Sequence, residues 1–121
     1  VIIADLPCSG LGVLGRKKEI KYHCSPEQIL KLQALQREIL KASFPYLKPK
    51  GRLVYSTCTV TKEENTEQYE WLLKEFPLEP VNLTGLFPEP FDQRTASKGY
   101  VQTLQGVMDC DGFFVSAFQR K

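Results

Sequence analysis

Val1-Ile2-Ile3-Ala4-Asp5-Leu6-Pro7-Cys8-Ser9-Gly10 opens the chain, and the reading of this stretch decides the fold. A short apolar run ending in a carboxylate, then a proline, is the pattern of a central strand of a parallel sheet running into a loop. Val1–Asp5 is therefore expected to be a strand. In open α/β sheets ligands collect in the crevice at the carboxyl ends of strands, so chemistry is expected just beyond Asp5.

Downstream, Ser25-Pro26-Glu27-Gln28 reads as a capping box with proline at the first helical position. Ile29, Leu32, Leu35, Ile39, Leu40 and Phe44 recur at helical spacing, which predicts an apolar face, with Lys31, Arg37, Glu38 and Lys41 towards water. Pro49 and Gly51 end this segment, and Arg52–Ser56 reads as the next strand of a right-handed strand-helix-strand unit. A second helix is expected to open at Thr61, where Thr61-Lys62-Glu63-Glu64 forms another capping-box pattern. Its buried stripe is Tyr69, Leu72, Leu73 and Phe76, and Pro77 stops it. The segment from Leu78 to Thr84 has room for a short strand, and the stretch through about Gly106 reads as a long loop. Phe113–Phe118, following Asp111-Gly112, reads as an aromatic-rich final strand. The whole is α/β.

A chain of 121 residues, 42% hydrophobic, buries one modest core. No apolar run approaches the roughly 18 residues of a membrane-spanning helix, and no membrane contact is expected. The abrupt apolar start, without a polar lead-in, reads as a piece of a longer protein. Sixteen basic against fourteen acidic residues give a formal charge of +2, too small to identify a nucleic-acid partner. Arg16-Lys17-Lys18 with Lys21, and Lys48, Lys50 and Arg52, are local basic clusters whose default reading is a solvated surface. Four cysteines without a Cys-x-x-Cys, and a single histidine, His23, exclude an evident zinc site, redox dithiol or disulfide scaffold. Reduced thiols and an intracellular compartment are expected, and no metal.

Each of the two strands delivers a cysteine just past its carboxyl end, Cys8 and Cys58. Parallel strands share that edge, so two thiols and the Asp5 carboxylate would meet in one crevice. Spacing alone leaves open whether the thiols are catalytic or merely small buried apolar groups. Cys24 and Cys110 are assigned to packing. Gly10-Leu11-Gly12-Val13-Leu14-Gly15 has the glycine spacing of a dinucleotide loop. Four residues intervene after the strand, however, a charged stretch rather than an apolar helix follows, and no ribose-binding carboxylate stands about 20 residues on. These glycines fit better a loop lying against a bulky ligand such as a flipped base. A phosphatase-type cysteine loop lacks its arginine, because Leu14 stands there. Thiol oxidoreductase chemistry would require Cys8 and Cys58 within disulfide reach.

In order along the chain, Asp5-Leu6-Pro7-Cys8-Ser9-Gly10 with Gly12, Leu35-Gln36 with Ile39-Leu40, Leu53 through Thr59 with Glu63-Glu64-Asn65, and Asp111-Gly112-Phe113-Phe114 resemble the Sun/Fmu-type RNA cytosine-C5 methyltransferases (the RsmB/NOP/Sun family). The paired Pro-Cys and Thr-Cys motifs carry the resemblance. The segment from about Leu83 to Met108 departs most, and no Pro-His element precedes the last strand.

The resemblance implies a partial Rossmann-like S-adenosylmethionine-dependent methyltransferase fold: the C-terminal half of a mixed sheet, with an antiparallel last strand. Residues 1–121 would be the C-terminal part of the catalytic domain, with the cofactor-binding half and an RNA-recognition domain upstream. It further implies Cys58 as nucleophile, Cys8 as the thiol assisting product release, and Asp5 as a catalytic carboxylate between base and cofactor. S-adenosylmethionine would be met here by Asp5 and Pro7. The RNA substrate would be met by Ser9, Gly10 and Gly12, with Arg16, Lys17 and Lys18 on phosphates. The expected partner is ribosomal RNA, with transfer RNA as the alternative, and a cytoplasmic monomer is expected. A catalytically silent RNA-binding member of the fold, and a small thiol- or nucleotide-binding α/β module, are the competing readings.

Overall fold

The structure, a computed structural model, describes residues 1–10, 25–87, 92–104 and 112–121. Strand β1 (Ile2–Asp5) leads to helix α1 (Pro26–Ser43), a short 3-10 turn (Phe44–Tyr46) and strand β2 (Arg52–Thr57). Helix α2 (Thr66–Glu75), β3 (Leu78–Pro80), α3 (Gln93–Ser97), β4 (Tyr100–Gln102) and β5 (Phe114–Arg120) follow. The sheet order is β1-β2-β5-β3, and β4 also pairs with β5. Strands β1 and β2 are parallel, whereas β5 runs antiparallel to β2, β3 and β4. This is the α/β class read from the residues and the mixed sheet, with an antiparallel last strand, that the resemblance implies.

Helix α1 begins where expected and for the expected reason. Ser25 Oγ accepts from the Gln28 amide, and the Gln28 side chain accepts from the Ser25 amide, so two otherwise orphaned donors are satisfied. Its buried face differs from the sequence expectation. Gln36 and Leu40 are the fully buried residues, while Leu35 is exposed. Arg37, expected to face water, is half-buried. Its guanidinium lies 5.0 Å from the Trp71 ring centre, and Nε donates to Gln68, so the aliphatic stem packs while the charge stays bonded.

Side chains alternate across a strand, so Leu53, Tyr55 and Thr57 of β2 and Phe114, Ser116 and Phe118 of β5 point to one face. The principal core forms there. Tyr55, Phe114 and Phe118 are wholly buried with Leu40, Leu47 and Leu72. Tyr69 and Tyr100 extend this cluster, with ring centres 4.7 Å apart. Burying an aromatic side chain stabilises by about 1.5–3 kcal/mol, so these rings account for much of what holds α2 to the sheet. Ala117 points the other way, into a smaller core with Leu83, Ala96 and Val101.

Two expectations are corrected and a third is made definite. The second helix starts at Thr66, not Thr61, because residues 62–65 form turns and Glu64 is drawn into the interior. The short strand for which Leu78–Thr84 leaves room is Leu78–Pro80, after which Leu83 turns back to bond Ala96. The segment read as a long loop contains α3, capped locally by Asp92, and β4, which adds to β5. Local pattern does not reveal such short elements.

The turn between α3 and β4 depends on Gly99. Its φ is +98°, and an added Cβ would lie 2.9 Å from Pro80 Cβ and 3.0 Å from the Val81 carbonyl oxygen. Gly99→Ala should therefore lower the unfolding free energy by about 1–3 kcal/mol, measured by urea denaturation; an unchanged midpoint would contradict this placement of the turn.

Candidate active site

The site follows from the parallel pairing. Asp5 is registered against Ser56, so the chain leaves β1 and β2 at the same edge. Cys8 and Cys58 meet there, with sulfurs 3.2 Å apart and both thiols free. They share one hydrogen-bonding hydrogen, and either can donate it. Burial, and next the Cys58 thiol, push the Cys8 thiol up to about 12. Burial therefore disfavours ionisation of Cys8, and since the thiolate is the nucleophile, it disfavours attack by this thiol.

Around the thiols lies a buried polar layer. Glu64 is fully buried and accepts four hydrogen bonds: from the Ser9 amide (2.8 Å), Ser9 Oγ (2.6 Å), Thr61 Oγ1 (2.6 Å) and Gln36 Nε2 (3.2 Å). Gln36 Nε2 also donates to the Pro7 carbonyl at 2.9 Å. Asn65 Oδ1 accepts from Thr57 Oγ1 at 2.5 Å, and its Nδ2 donates to the Thr59 carbonyl at 2.9 Å. Tyr55 donates to the Glu64 carbonyl at 2.5 Å, and Gln68 donates to Gln36 Oε1 at 2.9 Å. Tyr55 is held neutral, its acidity weakened chiefly by burial and then by the Glu64 charge. No buried side-chain polar atom among the described residues lacks a partner, as a buried polar layer requires.

The residues singled out from sequence fall into three groups. Cys8 and Cys58 come together. Asp5, expected to meet the thiols in one crevice, is exposed on the sheet face opposite α1, where it accepts from Ser56 Oγ at 3.3 Å. The reason is alternation: Ala4 takes the core-facing position of β1, leaving Asp5 on the other face. Ser9, expected against substrate, has its amide and hydroxyl both taken by Glu64, so it anchors the Pro-Cys loop. Gly10 follows at φ 72°, in the left-handed region that glycine enters without steric cost. Pro7 is exposed beside them. Gly12, Arg16, Lys17, Lys18, His23, Cys24 and Cys110 lie outside the described residues.

Sequence reasoning overlooked Gln36, Thr59, Glu64, Asn65 and Gln68 as parts of the site. One signal was available: Gln36 stands between Leu32 and Leu40 at i+4 spacing, a polar residue in the middle of the apolar stripe. The signal at Glu64 pointed elsewhere, to a helix cap.

Comparison with known proteins places this geometry. A family model described as "16S rRNA methyltransferase RsmB/F" matches residues 1–119. The chain belongs to this RsmB/F methyltransferase family. It is 40% identical over 121 residues to the ribosomal RNA small subunit methyltransferase F of Klebsiella pneumoniae and 38% identical to that of Cronobacter sakazakii. In both cases 98% of this chain is covered, and it spans 25% of the length of those relatives. Among solved structures, NSun6 from Pyrococcus horikoshii, crystallised with SFG, superposes with a TM-score of 0.82 at 25% identity. That match covers 98% of this chain and 29% of NSun6. A methyltransferase homologue from the same organism superposes at 0.74 with 28% identity, covering 99% of this chain and 38% of the homologue. The likeness to these solved structures extends over 98–99% of the chain, and so over the whole mixed sheet.

The raised Cys8 pKa makes a statement about stability. The native state holds this proton more tightly than the unfolded chain, whose thiol titrates near 9.0. The contribution is complete below that pH and is lost as pH rises towards about 12. Unfolding measured at a series of pH values should show stability falling across this window, and falling less in Cys8→Ala; parallel curves for the two proteins would refute the assignment.

Proposed function

We propose that the intact enzyme methylates C5 of cytosine in RNA, with Cys58 as the nucleophile and Cys8 as its proton partner. The observation that carries this reading is the 3.2 Å approach of two free thiols, one of them disfavoured from ionising by burial, at the shared edge of β1 and β2. Membership of a family described by 16S rRNA methylation supports the class of reaction and of substrate.

The chemistry explains why thiols are present. Cytosine C5 is too weak a nucleophile to take a methyl group unaided. The Cys58 thiolate adds to C6, forming a C6–S bond and pushing the electron pair towards C5, so that the ring behaves as an enamine. Bound S-adenosylmethionine supplies the methyl group as a sulfonium. The C5 proton then leaves to a base, its electron pair restores the ring, and the C6–S bond breaks to return the Cys58 thiolate. Cys8 stabilises the departing sulfur by donating its hydrogen across the 3.2 Å gap. Asp5, exposed at the end of β1, accepts from the N4 amino group and, once N3 has taken up a proton, from N3–H, so that its negative charge favours the protonated ring that Cys58 attacks.

For the cofactor, the exposed Asp5 carboxylate fits one polar contact, with Pro7 exposed beside it. The NSun6 structure with SFG, an S-adenosylmethionine analogue, supports use of this cofactor. The substrate we favour is small-subunit ribosomal RNA, as the names of the relatives indicate for those proteins; the same mechanism would serve transfer RNA. The protein is proposed to act as a cytoplasmic monomer without membrane contact, and no helix among the described residues is long and apolar enough to cross one.

The test uses the full-length enzyme and RNA. Cys58→Ala should abolish the covalent protein–RNA adduct on denaturing gels, whereas Cys8→Ala should accumulate it; the reverse pattern would assign attack to Cys8. Arg16, Lys17 and Lys18 are proposed to contact phosphates. Replacing all three with alanine should flatten the slope of log affinity against log salt by about 2 on a single-stranded target, and an unchanged slope would remove them from the interface.

A further inference from the structure

Asn65 occupies the N-cap of α2, where its type of side chain ordinarily bonds the first helical amides, and Glu64 directly precedes it. Asn65 stands at the N-cap without a side-chain cap hydrogen bond, and Glu64, the last residue of the capping-box pattern, points into the interior. Both are almost wholly buried. A local rule broken at Asn65, beside a fully buried carboxylate, calls for a gain elsewhere, and the hydrogen bonds show where it lies.

Each side chain holds the neighbours of one cysteine. Glu64 takes the amide and hydroxyl of Ser9, directly after Cys8, while Gln36, bonded to the same carboxylate, takes the carbonyl of Pro7, directly before it. Asn65 accepts from the Thr57 hydroxyl, directly before Cys58, and donates to the Thr59 carbonyl, directly after it. A hydrogen bond of 2.6 Å between Ser9 Oγ and Thr59 Oγ1 closes the two arms upon each other. Glu64 is well suited to its arm. A carboxylate is an acceptor only, with about four lone-pair sites, and four donors fill them.

We propose that Glu64-Asn65 is a two-armed positioning clamp that sets the separation and aim of the two thiols. The clamp acts on the residues flanking each cysteine rather than on the sulfurs. It rests on the functional reading above only in that the thiols are the reacting groups. The geometric part, that the clamp holds the two sulfurs together, stands by itself.

The experiment measures both parts in the full-length enzyme. The first readout is kcat and KM for RNA. The second is the rate at which diamide links Cys8 to Cys58, followed by peptide mass: the two thiols lose two protons and two electrons to form the disulfide, and the diazene is reduced to the hydrazine. Asn65→Asp is isosteric and keeps the Thr57 bond, but sets a carboxylate oxygen against the Thr59 carbonyl. It should lower kcat on the order of 10²-fold, as an ångström of misplacement does, with KM for RNA little changed and cross-linking slowed in parallel. Glu64→Ala should do the same.

Glu64→Gln retains an acceptor for the Ser9 amide, and the Ser9 and Thr61 hydroxyls can rotate to accept from its amide. It should therefore recover most of both rates relative to Glu64→Ala. If the alanine variant unfolds in a thermal melt, the comparison of Asn65→Asp and Glu64→Gln with wild type decides. Folded Asn65→Asp that cross-links at the wild-type rate overturns the clamp, as does a loss of kcat with cross-linking unchanged. Failure of the wild type to form an RNA adduct would count against Cys58 as nucleophile, and the cross-linking rates would still judge the clamp.

Discussion

Everything at the site depends on the parallel pairing of β1 with β2. Parallel strands leave a sheet at the same edge, and the register of Asp5 against Ser56 brings the two cysteine loops level. An antiparallel pair would have sent Cys8 and Cys58 to opposite ends. The parallel arrangement in turn requires a crossover connection, which includes α1, and that helix supplies Gln36 to the space beneath the loops. The element that makes the topology feasible also furnishes part of the polar layer.

That layer is an unusual use of a small interior. Gln36, Glu64, Asn65 and Gln68 are buried where apolar side chains would pack without any need for partners. A buried polar group left unbonded costs about 1–3 kcal/mol, so such a layer is tolerable only when complete, and here every described member is bonded. Completeness also makes it specific: moving one loop by an ångström would break several bonds at once. The aromatic cluster of Tyr55, Tyr69, Phe114 and Phe118 has the complementary role. It fastens α2 to β5 by apolar area, and Tyr55 joins the two regions, its ring in the core and its hydroxyl on the Glu64 carbonyl.

Much of the architecture was legible because it is local. Ser25-Pro26-Glu27-Gln28 announces α1 through capping groups within four residues of one another, and the cysteine-bearing strand ends stand out because alternating burial and loop chemistry leave marks on short stretches. Thr61-Lys62-Glu63-Glu64 misled for the same reason. Thr61 Oγ1 does bond Glu64 at 2.6 Å, but the carboxylate turns to Ser9, 55 positions away in sequence, and the helix begins later. Elements α3 and β4 escaped notice because each is a few residues long, and β4 owes its regularity to its pairing with β5.

Periodicity, caps and residue chemistry along contiguous segments were enough to read the two strands, the first helix, the α/β class and the placing of Cys8 and Cys58 at one sheet edge; the mixed sheet and the roles of the thiols came from the family resemblance. Only the tertiary structure decided that Asp5 is exposed, that Ser9 is an anchor, and that Glu64 and Asn65 serve the cysteine loops rather than their helix. The physical reason is the range of the forces involved. A capping residue has a partner in its own turn and another across the fold, and which one it bonds is settled when packing excludes water and the buried donors must all be satisfied.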